Sequence, residues 1–386
     1  MWLVIFGLIM LGTFAGLIYL CFRLQRFRTV QLFTGGQKKR KWIVSVVFIV
    51  VVVILCRIDM VNTMIIVLHL LMFWLIADFF TLIIKWVCMG SGSKRPDKET
   101  SPGEGTTEEQ KTGPYLTGIF VLAFTALYLC AGWYLAHHVW VTHYAFSTDK
   151  DLGQEKLRIV LFADSHIGTT FDGEGFSEHM KSIEAESPDV VLIAGDFVDD
   201  DTLKADMVKS CKALGELKST YGVFYADGNH DRGYYQGRDF SYGEMLDELE
   251  KNNVHILRDQ AELINGAFYV TGRLDRSNNA RLSLKDIIKE SDLDPDKYTI
   301  VMDHQPNDYE AEAGTGVDLV VSGHTHGGQL FPVNRAGEWI GANDRTYGTE
   351  KRDKTTFVVT SGISAWAIWF KTGTKSEFVV IDITEE

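Results

Sequence analysis

The sequence predicts an all-α membrane-spanning region of about four helices followed by an α/β domain. Three observations carry that reading. Residues 1–146 hold 13 Lys and Arg against 7 Asp and Glu, whereas residues 147–386 hold 25 against 44, so the formal charges are +6 and −19. The first part is dominated by long apolar runs, each of a length to cross a bilayer. From residue 156 onward, short β-rich runs alternate with amphipathic helical stretches, the signature of an α/β body.

Residues 2–22 are almost wholly apolar. Their positive charges, Arg23, Arg26 and Arg28, follow the run instead of preceding it, so a retained helix is expected and not a cleaved signal peptide. The stretch 42–88 is interrupted only by Arg57-Ile58-Asp59. As one helix it would measure about 70 Å against a hydrocarbon core of roughly 30 Å, so two spans are expected, 42–57 and 61–86, joined by a tight turn. A fourth span is expected over 116–142, after a flexible polar linker, 89–113. The membrane region is therefore set at 1–146 and the second domain at 147–386. His69, Asp78, His137 and His138 fall within the spans; Asp78 and the histidine pair lie near helix ends, where they can reach interfacial water.

Cys21, Cys56, Cys88 and Cys130 lie in or beside apolar runs, and Cys211 alone belongs to the acidic part, so no disulfide framework holds that domain. No Asn-x-Ser/Thr sequon occurs. Both features favour a bacterial protein. The acidity of the second part excludes nucleic acid as a partner, because a polyanion would be repelled at long range; no protein partner is implied.

Strands are expected at 157–163, 189–194, 221–226, 267–273, 298–302, 318–322, 357–360 and 377–383, and helices at 176–186, 202–217, 243–251 and 283–290. Five local motifs follow strands. They are Asp164-Ser165-His166, Gly195-Asp196-Phe197-Val198-Asp199, Gly228-Asn229-His230-Asp231, Asp303-His304-Gln305-Pro306 and Gly323-His324-Thr325-His326-Gly327-Gly328. Open α/β sheets place ligand sites outside the carboxyl ends of their strands, so one edge could gather all five. Asp, Asn and His offer oxygen and imidazole donors suited to Mn, Fe or Zn, and Asp196 is the natural bridge between two ions. Each motif alone is weak; a single Asp-x-His is usually surface decoration. The ordered set is specific.

That order, Asp-x-His, Gly-Asp, Gly-Asn-His-Asp, His, Gly-His-x-His, resembles the calcineurin-like metallophosphoesterases over about residues 156–383. Gly323 to Pro332 is similar to their membrane-associated bacterial branch. The resemblance implies a four-layer αββα sandwich with two divalent metals, manganese first and iron or zinc as alternatives. It implies one metal on Asp164, His166, Asp196 and His326, and a second on Asp196, Asn229, His304 and His324. It also implies that His230 protonates the leaving oxygen, supported by Asp199. Asp231 is a rival support that better suits a loop-shaping role. Protein serine/threonine phosphatases carry Arg-Gly where Asp200-Asp201 stand here, so the basic phosphate clamp of that class is missing. The aromatic tail with Trp366, Trp369 and Phe370 reads as core or as a lipid-headgroup contact.

The chemistry expected is direct attack of a metal-activated hydroxide on phosphorus. The leading substrate is a phosphate ester or pyrophosphate on a lipid or cell-envelope molecule. Alternatives are a soluble phosphodiester or nucleotide and a nucleotide-sugar lipid precursor at the cytosolic face. A non-catalytic sensor is disfavoured by the complete ligand set. The basic segments 23–41 and 94–111 are expected on the cytoplasmic side, which places the acidic domain outside.

Overall fold

The computed structural model describes residues 2–90, 114–234 and 237–386. The chain divides into two compact units, Met1–Cys130 and Ala131–Glu386.

The first unit is helical: α1 (Trp2–Leu24), α2 (Arg28–Thr34), α3 (Lys38–Ile58), α4 (Met60–Gly90) and most of α5 (Leu116–His137). Among the described residues, three helices, α3, α4 and α5, are long and apolar enough to cross a membrane. Asp59 makes the tight turn between α3 and α4. It leaves helical geometry, and its carboxylate accepts the Asn62 N–H at 2.9 Å, satisfying a free donor at the start of α4. Asp78 is met by the Arg23 guanidinium and the Tyr19 hydroxyl, so an ion pair compensates its charge. The His69 Nδ1 pairs with the Ile65 carbonyl at 2.8 Å. The linker lies outside the described residues from 91 to 113.

The fourth expected span, α5, ends earlier than the expected residue 142. It stops at His137, and β1 (Val139–Thr148) begins two residues later in the second unit. Its β-branched and aromatic residues alternate between half-buried and exposed, as an edge strand requires. Apolarity alone had merged this strand with the helix before it.

The second unit continues with β2 (Lys156–Phe162), α6 (Gly173–Ala185), β3 (Val190–Ala194), α7 (Lys204–Glu216), β4 (Val223–Ala226), α8 (Tyr242–Lys251), β5 (Val254–Ile256), β6 (Gln260–Ile264) and β7 (Phe268–Gly272). Then come α9 (Leu284–Glu290), β8 (Tyr298–Met302), α10 (Tyr309–Ala313), β9 (Leu319–Ser322), α11 (Ala336–Trp339), β10 (Gly348–Arg352), β11 (Thr355–Val359) and β12 (Ser376–Glu385). Two mixed six-stranded sheets result, ordered β1-β12-β2-β3-β4-β5 and β10-β11-β9-β8-β7-β6. Strand periodicity explains how they bury their residues. Leu157, Ile159, Leu161 and Leu192 of the first sheet share one core with Val270, Ile300, Met302 and Val321 of the second. The alternate residues Val160, Phe162, Val191 and Ile193 pack on Phe176 and Met180 of α6, Met207 of α7 and Met245 of α8. Val301, Val320 and Phe357 pack on Leu284 and Tyr309.

In the first sheet β2, β3 and β4 are mutually parallel neighbours, and in the second β8 and β9 are parallel. Each of these five strands runs directly into one of the five motifs.

Candidate metal centre

The site is built from the turns that leave those strands. Asp164, His166, Asp196, His324 and His326 all have left-handed backbones, with φ between 36° and 71°. Non-glycine residues seldom adopt this conformation, at a cost on the order of 1 kcal/mol each, and such strain gathers at functional sites. Glycine is required beside them by close approach. A Cβ on Gly228 would overlap the Asp196 backbone and carboxylate, and one on Gly323 would overlap Ala163.

The strained turns aim donors at two points. Donor atoms of Asp164, His166 and His326 lie within 4.8 Å of one another, and so do those of Asp196, His304 and His324. Asn229 joins the second group, its Oδ1 3.1 Å from the His304 Nε2. Its amide nitrogen donates to the Tyr234 hydroxyl at 2.7 Å, which turns the amide oxygen towards the site. The Asp196 Oδ2 is 3.7 Å from the His166 Nε2 and 3.1 Å from the His304 Nε2, between the two groups.

Whether this set fits cations is decided by its lone pairs. The His304 Nδ1 donates to the Ala194 carbonyl at 2.7 Å, leaving its Nε2 lone pair directed at the Asp196 carboxylate. The His326 Nδ1 faces the Ser364 carbonyl at 3.2 Å, so its Nε2 lone pair points at the His166 Nε2, also 3.2 Å away. Carbonyls behind the imidazoles thus fix the tautomers that metal ligation needs. Acceptors facing acceptors in a buried place repel unless positive charge lies between them. Burial disfavours a charged His304, yet Asp196 and Asp164 outweigh it and raise its pKa well above the ordinary histidine value. Burial and the neighbouring His304 lower His324 to about 4, and burial with His166 lowers His326 well below the usual range. Burial raises Asp164, whereas at Asp196 the surrounding imidazoles overcome burial and hold the carboxyl far below its usual value. The donor set and its demand for positive charge fit two divalent cations.

His230 stands beside these groups. Its Nδ1 is 2.9 Å from the Asp199 Oδ1, and the other Asp199 oxygen lies 3.3 Å from the His166 Nδ1. Burial alone would lower the His230 pKa; the Asp199 hydrogen bond and the Asp196 and Asp199 charges overcome it and raise it. The rival Asp231 is turned away from His230. Its carboxylate accepts the backbone N–H groups of Asp196, Phe197, Val198 and Gly228 at 2.7–3.1 Å and the Tyr225 hydroxyl at 2.7 Å. Asp231→Ala should therefore leave five buried donors unpaired, at a cost on the order of 3 kcal/mol or more, and lower the melting temperature by about 5 °C or more. Thermal unfolding in detergent checks this; an unchanged melting temperature would show that the two loops need no such tie. Asp200 accepts the Tyr234 N–H at 2.9 Å, so the position held by arginine in protein phosphatases here serves loop structure.

Two neighbours escaped the sequence reading. Lys371 is fully buried, its ammonium donating to the Ser361 and Gly362 carbonyls at 2.6 and 3.3 Å, and burial lowers its pKa to about 7. A lone lysine in an aromatic tail carries no pattern that would reveal it. Tyr234, with its ring 5.0 Å from that of His230, follows the third motif by too many residues to be counted with it.

The sequence profile of the calcineurin-like phosphoesterase family matches residues 157–328. An uncharacterized metallophosphoesterase of Aquifex aeolicus is 33% identical over 197 residues, covering 50% of this chain and 72% of that protein. One of Campylobacter jejuni is 33% identical over 238 residues, 60% of each chain. A Bos taurus transmembrane protein with metallophosphoesterase domain is 29% identical over 235 residues, 57% of this chain and 51% of that protein. The chain thus spans less than two thirds of the length of the Campylobacter and Bos relatives.

Proposed function

The chain belongs to the calcineurin-like metallophosphoesterases, and from that premise we propose that it is a membrane-anchored hydrolase using two divalent cations on a phosphate ester or pyrophosphate of a lipid or cell-envelope molecule. The observation that carries the reading is the pair of buried, mutually opposed donor groups joined by the Asp196 carboxylate. One cation is assigned to Asp164, His166, Asp196 and His326, the other to Asp196, Asn229, His304 and His324, with manganese the first choice. The packing of both sheets on flanking helices supports a four-layer αββα sandwich.

Bound there, the two cations supply neutralisation of the phosphoryl oxygens and activation of the attacking water. The protein residues do the rest. Asp199 holds the His230 Nδ1, which leaves the Nε2 proton free to pass to the departing oxygen as the phosphorus–oxygen bond breaks. Asp231 ties the Asp196 loop to the Asn229 loop and so fixes ligands from two strands in one frame. No nucleophilic serine or cysteine motif is needed. A panel of monoesters, diesters, nucleotide sugars and lipid phosphates, assayed with purified protein and Mn²⁺, should show hydrolysis of at least one class. Silence across all four would defeat the reading.

We place the catalytic unit outside the cytoplasm, in a bacterial cell membrane. The basic residues Lys38, Lys39, Arg40 and Lys41 open α3, and Lys94, Arg95, Lys98 and Lys111 lie between α4 and α5. With both segments inside, α5 leads outward, whether or not α1 also crosses. Protease added to intact cells or spheroplasts should cleave the catalytic unit and spare a cytosolic control. Full protection would reverse the topology and revive the nucleotide-sugar precursor as substrate.

A further inference from the structure

We propose that an aromatic rim beside His230 inserts into the headgroup region of the bilayer, so that the phosphate presented to the centre is that of a membrane lipid. This deepens the phosphoesterase reading and rests on it.

The last two turns of α5 mark the membrane boundary within the second unit. Trp133 stacks on His137 at 4.2 Å and Tyr134 on His138 at 5.2 Å, Trp140 lies 4.7 Å from His138, and the rings of Trp133 and Tyr134 are about half exposed. Such amphipathic rings collect where hydrocarbon gives way to headgroups. The Lys375 ammonium sits 5.4 Å over the Trp140 ring, a cation at the level where lipid phosphates lie.

The rim is fastened to this boundary. The Lys371 N–H donates to the Gly132 carbonyl at 2.9 Å, and the Ser376 hydroxyl donates to that of Ala136 at 2.7 Å. A Cβ on Gly132 would lie 3.5 Å from that of Phe370 and would overlap Thr372, so glycine lets the 366–373 loop lie flush on the helix. Gly132 is five residues before the end of α5, a depth of about 7.5 Å along its axis. A second loop is joined to the first: the N–H groups of Thr372 and Gly373 donate to the Gln329 carbonyl at 2.8 and 3.0 Å, and the Phe331 N–H to the Thr372 hydroxyl at 3.1 Å.

What these loops offer outward is apolar. Phe331 and Val333 are 56% and 57% exposed, Trp366 and Trp369 41% and 47%. Exposed large apolar groups gathered in a strongly acidic unit would be a liability in water, but at the depth of the α5 aromatic belt they meet lipid. The rim is continuous with the centre, since the Trp366 ring lies 5.3 Å from that of His230. A lipid phosphate at that level needs no extraction into water to reach the imidazole. Hydrolysis there adds water at phosphorus and breaks its bond to the lipid oxygen, which takes its proton from His230.

Two readouts test this on the full chain. Benzoylphenylalanine placed at Phe331 or Trp369, irradiated in vesicles of tritiated phosphatidylglycerol and phosphatidylethanolamine, should yield lipid adducts, and Leu263 on β6 should yield none. Adducts to protein instead, whether a second copy or a partner, or equal lipid labelling at Leu263, would overturn the proposal. The double variant Phe331→Ser, Val333→Ser should keep hydrolysis of a soluble aryl phosphate within about twofold and lose at least about tenfold on phosphatidic acid and phosphatidylglycerol in nanodiscs. Equal loss on both kinds of substrate, or wild-type protein inert on every lipid yet active on the aryl ester, would also overturn it. Wild-type protein inert on both, with lipid adducts still formed, would strike the phosphoesterase reading and not the membrane contact.

Discussion

Asp196→Ala should strip the centre of metal and lower hydrolysis by roughly three orders of magnitude or more, the largest effect expected of any single change. The Asp196 Oδ2 is the carboxylate oxygen that lies between His166 and His304, and its Oδ1 accepts the His230 N–H at 2.8 Å. Removing it takes away the negative charge shared by two neighbouring cations and loosens the loop that carries the acid. Asp196→Asn keeps the shape and the loop contact while removing the charge, so it separates ligation from folding and should lose metal as well. Elemental analysis of both purified variants gives the answer. Two ions per chain with ordinary turnover would break the assignment of Asp196 as bridge.

His230→Ala should leave metal content near wild type and reduce turnover by roughly 10²–10⁴, the usual range for loss of a general acid. The imidazole is held by Asp199 and belongs to neither group assigned to the cations, although its ligand atom lies within 4.8 Å of those of His166 and Asp199. Its absence should hurt most where the leaving oxygen is a poor anion, an alkoxide, and least for a nitrophenolate. Asp199→Asn should move activity in the same direction by a smaller factor, since it weakens support without removing the acid. Equal losses across leaving groups would make His230 a binding residue.

The grouping of the candidate site residues was legible because it is written locally. Each of the five motifs couples a candidate ligand to a glycine or a turn; β3, β4, β8 and β9 are short and fully buried and β2 is buried over Ile159–Phe162, so their boundaries fell within a residue or two of expectation. Edge strands were not legible. Gln260–Ile264 and Gly348–Arg352 are polar and half exposed, and their pairing is decided by neighbours distant in sequence. The strand Val139–Thr148 was hidden differently: its apolar residues continue the run of α5 without a turn signal, and its partner, β12, is over two hundred residues away. Lys371 and Trp366 were invisible as site neighbours for the same reason, because tertiary folding alone brings the tail back against Asp164 and His230.

The account stands most directly on metal stoichiometry joined to activity in one preparation of the full chain. Protein purified in detergent, loaded with Mn²⁺ and freed of excess, should carry two divalent ions per chain and hydrolyse an aryl phosphate. Chelation should abolish that hydrolysis, and readdition of Mn²⁺ should restore it. Hydrolysis that survives complete removal of metal, or a loaded chain that binds none, would contradict the account.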